Sequence, residues 1–275
     1  MANSPDPSLR QRLIVIDIMI PLTILMAMLG GWPFFVFITL ILLVAGWELW
    51  RLFKGGGYSP SLAVILLSIP AITLSRQLWG FEGSHLVLSA VILLAMAVHI
   101  FEQQRGAATS AVDFMITVGA SLYLGWIGAY ALSIRALPDG LYWAYLIFPA
   151  VSLADSGGYI FGRKFGKHKI ADKVSPKKTW EGFFGGIFMA ALITWGLSAL
   201  FHTVAPGIAS IDGLWIGLVM AVLTPLGDFG ESMLKRQFNV KDSSRILPGH
   251  GGIFDRIDSS LWAAVIGYAL ILLLK

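Results

Sequence analysis

The chain has 275 residues, 56% hydrophobic and 13% charged, with a formal net charge of +4 and a mean hydropathy of +0.75. A soluble domain carries about 25% charged residues, so this composition excludes an ordinary soluble globule. The absence of cysteine excludes disulfides, thiol catalysis and zinc–thiolate sites.

Apolar runs of about 17 to 25 residues recur, the length that crosses a bilayer core as a helix; a barrel would alternate with period two. The expected class is all-α, a polytopic membrane protein of about nine transmembrane helices. In chain order the spans are Leu13–Met28, Pro33–Leu49, Pro60–Leu74, His85–Phe101, Ala111–Ile134, Gly140–Phe161, Phe183–Phe201, Leu214–Leu234 and Ser259–Leu274. The first lacks a small-residue cleavage site and reads as a retained span rather than a signal peptide. The fifth and sixth carry or adjoin Asp113 and Asp155, residues that spans seldom tolerate. Nine crossings put 17 of the 20 Lys and Arg residues on the N-terminal side, leaving Arg76, Arg135 and Lys275 opposite. The positive-inside rule then makes the N-terminus cytoplasmic. Residues 1–154 are N-terminal transmembrane helices, and 155–275 a C-terminal transmembrane region with two cytoplasmic polar loops, the whole being one integrated membrane domain.

The first polar block, DSGGYIFGRKFGKHKIADKVSPKKTWEG, spans Asp155–Gly182 and sets seven basic residues against three acids. One reading is a cytoplasmic loop touching anionic lipid. The other is a polyanion site, because Lys167, Lys173, Lys177 and Lys178 lie near glycines that let backbone approach a phosphate. Ser175 or Thr179 can cap the helix that follows, with Glu181 early in it.

The second block spans Gly227–Ser260 and balances five basic residues against five acids, which lipid docking alone does not require. Asp228 and Glu231 share a helix face by their spacing, as do Asp255 and Asp258. All four lie where a span meets water, and such acids are costly unless paired or bound to cations. Oxygen ligands without cysteine suit a hard cation, and Mg²⁺ fits best. Ion pairing at a helix entrance is the plainer alternative. In Leu247–Gly252, proline stiffens the turn while Gly249, Gly251 and Gly252 allow positive φ and close backbone approach to phosphate. His250 suits a phosphate donor or a structural role.

The run SMLKRQFNVKDSSRILPGHGGIFDRIDS, Ser232–Ser259, resembles the signature of phosphatidate cytidylyltransferases, the CDP-diacylglycerol synthases. Lys235–Arg236, Lys241–Asp242, His250–Gly251–Gly252, Asp255–Arg256 and Asp258 fall at the family spacing. The upstream GDFGES and the first polar block are similar too. Asn239 stands where a glycine is frequent, and Asn also tolerates the left-handed conformation. The resemblance covers the C-terminal 120 residues or so.

It implies that CTP and phosphatidate give CDP-diacylglycerol and pyrophosphate. It also implies two cations, Mg²⁺ and a second of the monovalent type such as K⁺, with metals on Asp228 and Asp255. Expected catalytic residues are Asp228, Asp255, Lys235, Arg256 and Asp258, with Glu231 as a further metal ligand and Asp155 in support. Expected substrate-binding residues are Lys167, Lys173, Lys177, Lys178, Arg236, Lys241, His250, Gly251 and Gly252. The partners are CTP, phosphatidic acid and membrane lipid, with no nucleic acid. The place is a bacterial cytoplasmic (inner) membrane, with the site on its cytoplasmic side. Two-fold association follows by family analogy; Gly182 and Gly186, spaced as G-x-x-x-G, suit a dimer or internal packing.

Rival readings fit less well. The LPGHGG and DRID elements argue against a CTP-dependent lipid kinase. A CDP-alcohol phosphotransferase needs Ala-Arg after its Asp-Gly, which neither Asp139–Gly140 nor Asp212–Gly213 has. A transporter would place its charges at midplane, in broken helices.

Overall fold

Backbone N–H and C=O groups in hydrocarbon find no water, so each apolar run closes its hydrogen bonds within itself and becomes a helix. The computed structural model describes residues 9–171, 175–247 and 249–275, with side chains from Asp17 onward. The helices are α1 (Leu9–Leu29), α2 (Gly31–Gly55), α3 (Leu62–Trp79), α4 (Ser84–Gln104), α5 (Ser110–Ala120), α6 (Tyr130–Ala136) and α7 (Gly140–Phe165). After two short strands come α8 (Trp180–Phe201), α9 (Asp212–Leu223), α10 (Pro225–Gln237) and α11 (Phe254–Leu274). Among the described residues, eight helical segments are long and apolar enough to cross a membrane. Asp17–Leu29 of α1 is apolar but shorter. Side chains such as Leu93, 70% exposed, and Leu273, 82% exposed, face outward, as lipid contact requires. The protein is a polytopic all-α membrane protein.

The helices form two compact units that interleave in sequence. The first runs to Ala129 and adds Gln237–Ile257; the second is Tyr130–Arg236 with Asp258–Lys275.

In the first unit Ile65, Ile69, Ile72, Leu124 and Phe254 are fully buried. Asp113, in the first turn of α5, is also buried. Its carboxylate accepts from Ser59 N (2.7 Å) and Thr109 Oγ1 (2.7 Å). Thr117 accepts from Ser61 N (2.9 Å) and meets His99 Nε2 (2.9 Å). The acid that looked foreign to a span therefore anchors the segment entering α3, which offsets its burial cost. A π-helical turn, Ser121–Trp126, follows α5, in a stretch the sequence reads as uninterrupted. Gly125 lies in it, flush on α3: a Cβ there would meet Ile72 Cδ1 at 2.9 Å.

In the second unit Trp143, Leu146, Ile147, Ile216 and Met220 fill the core. Helix α7 runs 26 residues, about 39 Å at the helical rise, so it outruns a bilayer core. The first polar block is helical as far as Phe165, four residues beyond the predicted span Gly140–Phe161. Its glycines set how closely this helix packs. A Cβ on Gly157 would sit 2.9 Å from Gly185 O and Gly186 Cα, and one on Gly186 would sit 2.5 Å from Ala154 O. Helices α7 and α8 touch backbone to backbone, and the Gly182–Gly186 pair serves this internal packing.

Strands β1 (Lys169–Ala171) and β2 (Ser175–Thr179) pair antiparallel, Lys169 opposite Thr179 and Ala171 opposite Ser175. The sequence, read as all-α, did not anticipate this hairpin. Of the two proposed caps, Thr179 performs the task, accepting from Gly182 N (3.2 Å), whereas Ser175 lies in β2. The predicted span Leu214–Leu234 lies within one candidate membrane span, Asp212–Gln237, whose helix is interrupted at Thr224 between α9 and α10. Pro225 has no N–H to continue the ladder and starts a new helix at its first position.

Gly157→Val should loosen the α7–α8 contact by about 1–3 kcal/mol, read as a lower thermal midpoint in detergent. Gly196→Ala, on the same α8 with nothing within 4 Å of the added methyl, should leave it unchanged or slightly raised.

Candidate active site

Asp228, Glu231 and Lys235 follow Pro225 at spacings that share one face of α10. Gly227 lets that helix lie against α11: a Cβ there would sit 2.6 Å from Asp258 O and 2.8 Å from Ser259 Cα. This approach gathers Asp228, Glu231 and Asp258, whose ligand oxygens lie within 4.8 Å of one another. Glu231 and Asp258 are buried and Asp228 is partly exposed. Asp258 Oδ1 accepts from Ser259 N (2.6 Å). Lys235 Nζ lies 2.6 Å from Glu231 Oε2, and Lys178 Nζ 2.6 Å from Asp228 Oδ2. Lys178 also stands 4.7 Å from the Phe229 ring centre, a cation–π contact. Three carboxylates this close repel one another unless cations intervene. An all-oxygen donor set of this kind fits Mg²⁺, which takes few carboxylates and keeps positions for water and phosphate.

Beside these acids lies a cavity of about 350 Å³. Asp155, Lys177 and Lys178 supply its charge, while Trp180, Phe183 and Phe229 belong to its apolar wall. The hairpin brings the two lysines there. Glu181, in the first turn of α8, secures the turn before β1: its carboxylate accepts from Lys167 N (3.0 Å) and His168 N (3.2 Å) and meets His168 Nδ1 (2.6 Å). The Lys167 side chain is exposed at that turn.

In the first unit, the glycine-rich segment before α11 is a tight turn. Leu247 N donates to Gly251 O (2.9 Å) and His250 N to Leu247 O (2.9 Å). Gly249 (φ 78°) and Gly251 (φ 82°) use the left-handed region, and so does Asn239 (φ 54°), the substitution for glycine that its side chain permits. Gly252 is glycine for space, since a Cβ would collide with Ser243 Oγ and the Glu48 carboxylate. Asp255, buried in the first turn of α11, accepts from Ser243 N (3.0 Å), Ser243 Oγ (3.0 Å) and Gly252 N (2.7 Å). Glu48 of α2, with no exposed surface, accepts from Ser244 Oγ (2.5 Å), Ile253 N (3.0 Å) and Phe254 N (2.7 Å) and lies 3.3 Å from Ser243 Oγ.

Residues 10–274 match the model of the cytidylyltransferase family. The chain belongs to that family. It is 34% identical over 260 residues to a protein of Staphylococcus haemolyticus named phosphatidate cytidylyltransferase, covering 90% of this chain and 92% of the relative. A Bacillus subtilis protein of the same name is 35% identical over 252 residues, again covering 90% and 92%. A Haemophilus influenzae protein, also so named, reaches 47% over 127 residues, 46% of this chain and 44% of the relative.

The cytidylyltransferase signature is thus distributed through the fold. In the second unit the structure joins Asp228, Glu231, Asp258, Lys235 and Lys178, with Lys177 and Asp155 on the adjoining cavity; Arg236 is exposed on α10. In the first unit it places Asp255, Gly251, Gly252 and His250 in one turn, while Lys241 and Arg256 are exposed. Lys173 lies outside the described residues. Sequence reasoning passed over Glu48, Ser243 and Ser244. A glutamate ending an apolar run was a signal for the first, but nothing local ties it to two serines almost 200 positions later.

Lys235→Met should strand the buried Glu231 charge and cost about 3–5 kcal/mol, measured as thermal or denaturant stability in detergent. Glu231→Leu combined with Lys235→Met should regain most of that stability.

Proposed function

We propose that this cytidylyltransferase makes CDP-diacylglycerol and pyrophosphate from CTP and phosphatidate, with its site on the cytoplasmic face of a bacterial inner membrane. The observation that carries the reading is the carboxylate trio Asp228, Glu231 and Asp258, laced with Lys178 and Lys235, beside a cavity that is basic at one part and apolar along its wall. One substrate is a polyanion and the other a lipid phosphate, and such a pocket suits both. The names of the relatives and the signature support the same reading.

The phosphate of phosphatidate is already nucleophilic at neutral pH, so no strong base is required. Its oxygen attacks the α-phosphorus of CTP in line, the α–β bridge bond breaks, and pyrophosphate leaves. The protein's share is positioning and charge neutralisation. Asp228, Glu231 and Asp258, with Asp255, are the acids assigned to cations. Mg²⁺ would supply Lewis acidity and a template for the triphosphate, and a monovalent ion such as K⁺ would be the second cation. Lys178 and Lys235 hold carboxylates at 2.6 Å and are placed to exchange them for phosphate oxygens. Lys177 extends that positive field along the cavity. Lys167, Lys173, Arg236, Lys241, Arg256 and His250 are assigned to the substrate phosphates, and Gly251 and Gly252 to close backbone approach. Two-fold association belongs to the same proposal.

Pyrophosphate release by the detergent-purified protein should require CTP, phosphatidate and Mg²⁺ together and yield CDP-diacylglycerol. Turnover of CTP with a free lipid alcohol in place of phosphatidate would reject the reading. Asp228→Asn and Asp255→Asn should each lower turnover about 100-fold or more while the protein stays folded by thermal melting; near-normal rates in a folded variant would remove that residue from the ligand set.

A further inference from the structure

A glutamate with no exposed surface in an apolar helix demands a reason, and Glu48 has four donors around it. Two are backbone N–H groups, one per carboxylate oxygen: Ile253 N to Oε1 (3.0 Å) and Phe254 N to Oε2 (2.7 Å). Ser244 Oγ donates to Oε1 (2.5 Å). Ser243 Oγ lies 3.3 Å from Oε2 and 3.0 Å from Asp255 Oδ2. That hydroxyl has one proton, so it links two carboxylates by serving one at a time. Glu48 thereby grips both ends of the segment that carries the glycine-rich turn: the serines before it and the N–H groups of Ile253 and Phe254, at the entrance of α11, after it. These N–H groups have no partner within the helix, and the carboxylate lies at the positive helix end.

We propose that Glu48 is a positioning residue for the cytidylyl transfer. It fixes Ser243 and Ser244 on one side of the turn and the backbone of Ile253 and Phe254 on the other and, through Ser243 and Gly252, the rotamer of Asp255. The inference rests on the reading of Asp255 as a cation ligand. Glu48 itself touches no substrate; it acts through Asp255. The two backbone donors make a carboxylate mandatory, because hydroxyls can rotate but N–H groups cannot. A glutamine would turn its own NH₂ toward Ile253 N or Phe254 N and leave that donor unmatched.

The test is Glu48→Gln, with Ser244→Ala beside it. For Glu48→Gln, amide hydrogen exchange at Ile253 and Phe254, measured without substrates, should accelerate. The Mg²⁺ concentration for half-maximal pyrophosphate release should rise about tenfold, the range for a supporting residue behind a metal ligand, and excess Mg²⁺ should restore part of the rate. Ser244→Ala, which keeps the carboxylate and both backbone bonds, should shift the Mg²⁺ requirement the same way by less. A merely structural glutamate would reduce the active fraction without moving the Mg²⁺ requirement, and that result overturns the proposal. So does an unchanged Ser244→Ala paired with a Glu48→Gln that does not fold. A wild-type protein that fails to turn over CTP with phosphatidate takes the functional reading and this inference down together, whereas active wild type with an unaltered Glu48→Gln rejects the inference alone.

Discussion

A carboxylate taken from water into an apolar surround must be met by donors or cations, and the cost of leaving it unmet exceeds that of most packing defects. Much of this protein's polar organisation follows from that constraint. Asp113 is answered by a backbone N–H and a threonine, Glu48 by two backbone N–H groups and two serines, Glu231 by Lys235, and Asp228 by Lys178. The Glu231–Lys235 pair lies within α10; the other pairings join segments that are distant in sequence. The acids therefore act first as fasteners, and the assignment of some of them to chemistry uses positions already held rigid.

The second organising device is close backbone contact. Glycines along α7 and α8 remove the side-chain layer between two helices, and Gly227 does the same between α10 and α11. Where hydrocarbon surrounds the protein, burying apolar side chains gives little net drive, so tight van der Waals contact carries more of the packing. The consequence is chemical as well as mechanical. With α10 flush on α11, the ligand oxygens of three carboxylates lie within 4.8 Å of one another, and the break at Pro225 lets α10 begin afresh with two of them, Asp228 and Glu231, in its first two turns.

Several of these features were legible in the sequence. The apolar runs set the helices, since period and length leave the backbone no other way to satisfy itself in lipid. Thr179 as a cap, Asn239 in the left-handed region and the G-x-x-x-G pair as internal packing were each within reach of local rules. The hairpin was not, because strands of three and five residues rich in lysine carry no alternation. The break at Pro225 was missed because the apolar run continues through it, and hydropathy averages over a single lost N–H. Glu48 was passed over because its donors lie almost 200 positions away.

The sequence by itself determined the helical membrane class, the family signature and which acids and bases are available for chemistry, because these depend on residue type and short-range spacing. Only the tertiary structure decided which groups meet. It set Asp258 beside Asp228 and Glu231, put Lys178 of β2 on Asp228 of α10, and delivered Glu48 to the turn before α11. Such meetings depend on how helices pack, and packing is set by the shapes of whole faces, which no local pattern encodes.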